Sequence, residues 1–116
     1  MTITRINPGK RLSEAVRHNN TLYLAGQVAD DANAPIDQQT RETLAAIDKL
    51  LAEAGTSKSK LLSMQVILNN IADFAAMNAV YDAWIDPANP PTRACIEGRL
   101  ANPAYKVEMI AVAALD

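Results

Sequence analysis

Arg93 and Glu108 are the two residues of this sequence whose types and surroundings are best suited to chemistry. Arg93 follows a double proline in a segment of alternating side-chain direction, so Arg93, Cys95 and Glu97 share one face of a predicted strand. A guanidinium in this position can bind a carboxylate through two parallel hydrogen bonds. The alternative role for Arg93 is a salt bridge at a surface or an interface.

Glu108 lies in an apolar run, residues 106–113, that alternates like a second strand. A carboxyl group that is partly shielded from water can hold or activate a water molecule and protonate a leaving group. If the two runs are neighbouring strands, Arg93 and Glu108 would flank one pocket. The alternative for Glu108 is a structural ion pair with Arg93, Arg99 or Lys106.

Asn78 and Cys95 each have a structural and a functional interpretation. Asn78 lies at the edge of an apolar stripe that includes Phe74 and Tyr81, where an unpaired amide would be costly. The amide either ties a helix to a strand or lines a pocket. Cys95 has no evident activating neighbour, so a small packing residue is favoured over a nucleophile, although its backbone can face the site.

The composition narrows the classes of protein that remain. A chain of 116 residues with 21% charged and 49% hydrophobic residues predicts one globular domain. The net charge of −2 and the pI of about 5.3 disfavour nucleic acid as a partner, because phosphate binding needs clustered cations. One cysteine and one histidine argue against an internal disulfide, a zinc site and a Cys-His or Ser-His pair. With no membrane-spanning run and no signal peptide pattern, we expect a reduced, cytoplasmic protein.

Hydrophobic periodicity and turn residues predict the element order β-β-β-α-β-α-β-β over a single domain, residues 1–116. This order indicates an α+β sandwich with both helices on one face of a mainly antiparallel sheet. Asn19-Asn20 is predicted to form a hairpin turn. The predicted strands span residues 2–6, 14–18, 21–25, 61–68, 92–97 and 106–113, and the predicted helices span residues 37–54 and 73 to the Asp86-Pro87 pair.

Helix ends and strand faces follow from the same patterns. Asp37 and Asp73 are predicted to cap the two helices, and Gly55 to end the first helix. On the strand 61–68, Leu62 is predicted to share a face with Met64, and Leu61 to lie on the opposite face.

Two helices can cover only one face of such a sheet. The run 106–113 is apolar on both faces, so the uncovered face of a monomer would expose a large apolar patch. We therefore predict a homo-oligomer in which uncovered sheet faces pack together. Small molecules often bind at seams of this kind.

Four segments carry a family resemblance that covers nearly the whole chain: Gly26-Gln27, residues 73–81, residues 91–95 and Val107-Glu108. Together they resemble the Rid family of reactive-intermediate deaminases, the YjgF-type enamine/imine deaminases. The Arg-x-Cys segment, with a glutamate fifteen residues after the arginine, makes the resemblance fairly specific.

The resemblance implies a chorismate-mutase-like fold and a homotrimer with a pocket at each subunit interface. It implies that Arg93 binds the substrate carboxylate and that Glu108 positions water and assists proton transfer. Backbone groups near Gly26 and Cys95 would line the pocket, and Asn78 matches a helix asparagine near the site. The implied reaction is hydrolysis of 2-imino acids, formed from enamines, to 2-keto acids and ammonia, without a metal or an organic cofactor.

The chain departs from the family pattern at two places. Leu12-Ser13 replaces a Tyr-Ser pair whose tyrosine lines the pocket, and Ala25 replaces a serine before Gly26. Both changes make the expected pocket more apolar and indicate a divergent branch. The alternative function is a non-catalytic sensor that binds a keto acid or another small carboxylate through Arg93. RNA cleavage, sometimes attributed to the family, conflicts with the acidic pI.

Overall fold

The polypeptide forms six strands and two α-helices in the predicted order, as given by a computed structural model that describes residues 2–116. The elements are β1 (Ile3–Pro8), β2 (Ser13–His18), β3 (Thr21–Leu24), α1 (Ile36–Glu53), β4 (Leu61–Leu68), α2 (Phe74–Trp84), β5 (Thr92–Glu97) and β6 (Val107–Ala114). Single 3-10 turns precede β4 and α2, at Lys58–Lys60 and Ile71–Asp73. The predicted α+β class is confirmed.

The strands form one mixed sheet in the order β1-β2-β3-β6-β4-β5. The β4–β5 pair is parallel, and the other described pairs are antiparallel. A parallel pair needs a crossover connection, and α2 provides it between β4 and β5. The β1–β2 and β2–β3 pairs are consecutive in the chain, and Asn19 makes the predicted tight turn with a φ of 56°.

The capping residues predicted for the two helices are confirmed only in part. Gly55 follows α1 with a φ of 82°, which confirms it as the left-handed stop. The prediction that Asp37 caps α1 is wrong, because the helix begins at Ile36 and Asp37 lies inside its first turn. Asp73 occupies the N-cap position of α2 without a side-chain cap hydrogen bond. Instead, Asn70 Oδ1 accepts from Ala72 N at 3.0 Å in the turn before α2.

The predicted faces of β4 are wrong at the start of the strand. An irregularity in pairing with β6 lies between Leu61 and Ser63, so Leu61 is buried while Leu62 is 49% exposed. From Met64 onward the alternation is as predicted, and Met64 and Val66 are fully buried. The bulge places one extra residue opposite the partner strand and inverts the side-chain direction before it.

The core lies between the two helices and one face of the sheet. It is built from side chains of both helices and of β3, β4 and β6, including Leu22, Leu44, Ile47, Leu51, Met64, Val66, Leu68, Met77, Tyr81, Val107 and Met109. The domain is accordingly a thin slab, 43 × 37 × 20 Å along its principal axes. Within residues 2–116, neither helix combines the length and apolar character that crossing a membrane requires.

The opposite face of the sheet carries no helix. Tyr23, paired with Val112, is 51% exposed, and Ile96 on the edge strand is 58% exposed. Ile110 and Val112 are only half-buried, whereas the alternate residues of β6 are buried. Glu108 belongs to this uncovered face, because it alternates along β6 with the fully buried Val107 and Met109. The arrangement agrees with the apolar second face on which the prediction of a homo-oligomer was based.

Candidate functional site

Glu108 and Gly26 meet at the floor of a pocket on the uncovered side of the sheet. The pairing that joins them lies just beyond β3, where Gln27 N donates to Met109 O at 2.8 Å and Met109 N donates to Gln27 O at 3.0 Å. This exchange holds Gly26 so close to Glu108 that a Cβ atom at Gly26 would overlap the carboxylate Oε2 and lie 2.9 Å from Cδ. Glycine at position 26 therefore makes room for the side chain of Glu108.

The pocket above this floor has a volume of about 580 Å³, and we refer to it as the Glu108 pocket. Leu12, 57% exposed, and Tyr105 form part of its wall, together with the loop that follows Gly26. Glu14 and Asp30 add two further carboxylates. The structure therefore brings Leu12, Gly26 and Glu108 together, as the family resemblance implies.

Arg93 lies on the edge strand β5 and faces the helix layer. Its Nη1 atom donates to Asn78 Oδ1 of α2 at 2.6 Å. Its guanidinium carbon lies 4.8 Å from the centre of the Tyr81 ring and 5.8 Å from that of Phe74. A hydrogen bond at one end and aromatic faces along the plane fix the orientation of the guanidinium. We refer to Arg93, Asn78, Tyr81 and Phe74 as the Arg93 cluster.

The Arg93 cluster shows which residue Asn78 contacts and which groups surround Arg93 within one chain. Asn78 ties α2 to β5, and the strand residue that it contacts is Arg93 itself, so its hydrogen bond is structural and also orients the candidate anchor. Within residues 2–116 the ion pair formed is Arg41–Asp37 at 3.5 Å, and neither Arg93 nor Glu108 takes part in one. The salt-bridge interpretations of Arg93 and Glu108 therefore do not hold within one chain.

Tyr81 and Cys95 remain protonated beside the arginine. Burial raises the pKa of the Tyr81 hydroxyl, and the positive charge of Arg93 acts in the opposite direction. Burial likewise raises the pKa of the Cys95 thiol, with Arg93 again opposing the shift. Cys95 is half-buried and packs against the core, in agreement with the packing role predicted for it.

The condition that the runs of Arg93 and Glu108 are neighbouring strands is not met within one chain. Strand β4 lies between β5 and β6, so the two runs are not neighbouring strands. Arg93 pairs with the buried Met64 and faces the helices, whereas Glu108 pairs with Ile67 on the uncovered face. A single pocket that uses both residues needs a second copy of the chain.

Gln39 is a residue that the sequence interpretation missed. Its side chain is fully buried and donates through Nε2 to three carbonyl oxygens, those of Ala32 (3.1 Å), Ala34 (2.9 Å) and Ala104 (3.2 Å). Its Oε1 accepts from Lys106 N at 2.9 Å. These bonds join the two loops whose neighbouring residues line the Glu108 pocket, including Tyr105. The sequence pattern that indicates burial of Gln39 is its position on α1. It lies four residues before Thr43 and eight residues before Ile47, on the same buried face of the helix.

Two helices on one face of a mixed six-stranded sheet define an α+β sandwich of the chorismate-mutase-like type. The family model for Endoribonuclease L-PSP matches residues 2–115. A RutC family protein from Haemophilus influenzae is 47% identical over 116 residues, which is 97% of this chain and 98% of that protein.

Solved structures agree in fold over the whole chain. A protein from Pseudomonas aeruginosa has a TM-score of 0.96 at 42% identity, with 99% of this chain and 100% of the other covered. A member of the YjgF protein family from Neisseria meningitidis has a TM-score of 0.96 at 38% identity, with 100% and 97% covered. The chain belongs to the L-PSP/RutC/YjgF family, and the resemblance to the Rid family is confirmed.

Proposed function

We propose that this protein hydrolyses reactive 2-imino and enamine acids to 2-keto acids and ammonia. Arg93 binds the substrate carboxylate, and Glu108 positions and activates water. The observation that carries the proposal concerns residues 2–116. Within them the oriented guanidinium of Arg93 has no carboxylate partner, and the Glu108 carboxylate has no cation partner in its pocket. Both groups are left available for a substrate.

The proposed site is formed between subunits of a homotrimer. Arg93 borders a depression of about 210 Å³ at the β5 edge of the sheet, where a neighbouring chain can approach it. The Glu108 pocket lies on the side of the sheet that is not covered by helices, and the same face carries the apolar residues Tyr23 and Ile110. Packing the β5 edge of one subunit over the uncovered face of the next covers apolar surface and joins both halves of the site.

The chemistry needs one acid/base group and good positioning. Water adds to the carbon of the protonated imine while Glu108 takes one proton from the water, giving a neutral carbinolamine. Glu108 returns that proton to the amine nitrogen, and ammonia leaves as the hydroxyl proton passes to the Glu108 carboxylate and then to solvent, which forms the carbonyl group. Arg93 keeps the substrate carboxylate fixed, so the imine carbon stays beside Glu108. Imines hydrolyse readily in water, and modest positioning is therefore enough.

The charges of the Glu108 pocket favour this reaction over RNA cleavage, the activity in the name of the family model. Glu14, Asp30 and Glu108 line the pocket, and no lysine or arginine is among its described lining residues. A phosphodiester would be repelled from three carboxylates, because nucleic acid binding depends on cations that neutralise phosphate. A 2-imino acid has one carboxylate, for which Arg93 is sufficient.

The function is tested by trapping the imine with semicarbazide while an amino-acid oxidase generates it. The wild-type protein is expected to lower the amount of trapped imine. Arg93→Ala is expected to lose at least about 2 kcal/mol of transition-state binding, or about 30-fold in kcat/KM. Arg41→Ala is the matched control, because it removes an exposed arginine of α1 that lines neither the Glu108 pocket nor the depression beside Arg93.

Two outcomes would contradict the proposal. An undiminished yield of trapped imine, under conditions in which a known imine deaminase lowers it, would exclude the reaction for that substrate. Calorimetric binding of 2-ketobutyrate or pyruvate without turnover would support the sensor function instead. An unchanged rate for Arg93→Ala would exclude its role as the carboxylate anchor.

Gly26→Ala is expected to lower kcat/KM by about tenfold or more with little effect on stability. The added methyl group would overlap the Glu108 carboxylate and displace it from the pocket floor. Only Gly55 among the described glycines has a positive φ, so alanine is conformationally acceptable at position 26. The rate is measured in the trapping assay and stability by thermal unfolding. Gly9→Ala, whose methyl group would meet Leu12 O at 3.5 Å, is the control. Equal rates for both variants would show that the position of Glu108 is unimportant.

A further inference from the structure

We propose that the Glu108 pocket selects 2-imino acids whose side chain carries a positive charge, with Glu14 and Asp30 as the residues that recognise that charge. This inference rests on the proposed function and names its substrate class. The chemistry expected of the side chain is an aliphatic stem that ends in an ammonium or guanidinium group.

The first argument is the balance of charge around the pocket. Its described lining includes Glu14, Asp30 and Glu108 and no lysine or arginine. Arg93 comes from outside this lining and is assigned to the substrate carboxylate. If Glu108 acts at the imine carbon, Glu14 and Asp30 still face the remainder of the substrate without a cation.

The second argument is that the negative charge continues beyond the pocket. An adjoining cleft of about 350 Å³ shares Glu14 and Asp30 with it and adds Glu42 and Glu53, against Lys49 as the one cation of its described lining. Hydrogen bonds from the Gln38 side chain and the Asp31 backbone N–H lower the pKa of Glu42, which keeps it ionised. A cationic side chain is attracted along this whole surface, whereas a second carboxylate on the substrate is repelled.

The third argument is that an amide, rather than a cation, holds Glu14 in place. Asn7 Nδ2 donates to Glu14 Oε2 at 2.9 Å and to Glu53 Oε2 at 3.1 Å. A neutral donor orients these carboxylates and leaves their negative charges in place. Glu14 is therefore ordered in the pocket with its negative charge not neutralised by this contact.

The fourth argument concerns the size and character of the ligand. Residues 2–116 contain no group of three acidic, histidine or cysteine side chains placed to hold a metal ion. The carboxylates are spread around a cavity that is also walled by apolar side chains, including Leu12 and Val28. A methylene stem packs on such walls while its charged end reaches the carboxylates, as long basic side chains do in proteins.

The test compares two imines with unbranched side chains, one cationic and one neutral, generated in place from arginine and from methionine. We expect kcat/KM for the arginine-derived imine to exceed that for the methionine-derived imine by about tenfold at low salt. The ratio should fall as the ionic strength is raised, because exposed charges are screened. The double variant Glu14→Gln/Asp30→Asn is expected to bring the ratio close to one.

Asp82→Asn is the matched control, since it removes one exposed negative charge from α2 and should leave the ratio unchanged. A ratio near one in the wild type, or a ratio that the double variant does not lower, overturns the selectivity. In either case, hydrolysis of the methionine-derived imine still upholds the proposed function. If neither imine is hydrolysed, the proposed function fails. The selectivity is then decided by calorimetry with the 2-keto acids of arginine and methionine, and equal affinities overturn it.

Discussion

Mixing Arg93→Ala chains with Glu108→Gln chains is expected to restore about a quarter of the wild-type rate, although each variant is expected to be inactive alone. This fraction applies when the subunits of a closed ring assort at random. The two residues lie on opposite faces of the sheet with β4 between them, so each chain supplies only one of them to a given pocket. A pocket is intact when an Arg93 from one variant meets a Glu108 from the other. Such pockets form only in mixed oligomers.

The experiment is done by unfolding and refolding the two variants together and measuring the trapping assay against each variant refolded alone. The matched control mixes Gly26→Ala with Glu108→Gln, since both changes affect the same half of the site and mixing cannot separate them. Gel filtration establishes that the refolded proteins are oligomers. If mixed oligomers form and no activity returns, the site is not shared between chains.

Gln39→Leu is expected to lower the free energy of unfolding by about 3–5 kcal/mol, which is at the upper end of single-residue effects. Leucine is close to glutamine in volume, so the cost comes from the four lost hydrogen bonds, to three carbonyl oxygens and one backbone N–H. Gln39 is fully buried, and its partners at residues 32–34 and 104–106 would lose their shared anchor.

Chemical denaturation measures the stability, and hydrogen exchange shows where protection is lost. Gln38→Leu is the matched control, because the neighbouring side chain makes one hydrogen bond, to Glu42 at 2.7 Å, and should change stability by less than about 1 kcal/mol. Exchange should increase in residues 26–34 and 104–106 of Gln39→Leu before it increases in β4. A change in stability no larger than that of Gln38→Leu would show that the two loops are held by other contacts.

The element order was predictable because periodicity and turn residues are local properties of the sequence. The strand Leu61–Leu68 and the stop at Gly55 are examples of such local signals. The side-chain direction at Leu62 was not predictable, because a bulge depends on the partner strand. The helix cap assigned to Asp37 failed for a similar reason, since the chain enters α1 one residue earlier, after Pro35.

The candidate site was predictable in its residue types but not in its geometry. Spacing placed Arg93 and Glu108 on two strands, yet alternation defines the face of a residue only relative to its own strand. The order of strands decides whether two such faces coincide, and here β4 intervenes. Gln39 was missed because a single polar residue in a helix gives no sign of how many distant backbone groups it will contact.

The place of β6 in the sheet has a bearing on how the nascent chain folds. β6 is made last of the six strands, but it lies between β3 and β4 and pairs with both. Until it leaves the ribosome, the earlier strands form two separate pieces of sheet with open edges at β3 and β4, both of which are prone to pair wrongly. Cooperative folding must therefore wait for this strand, and truncating it would divide the sheet in the middle instead of trimming its end.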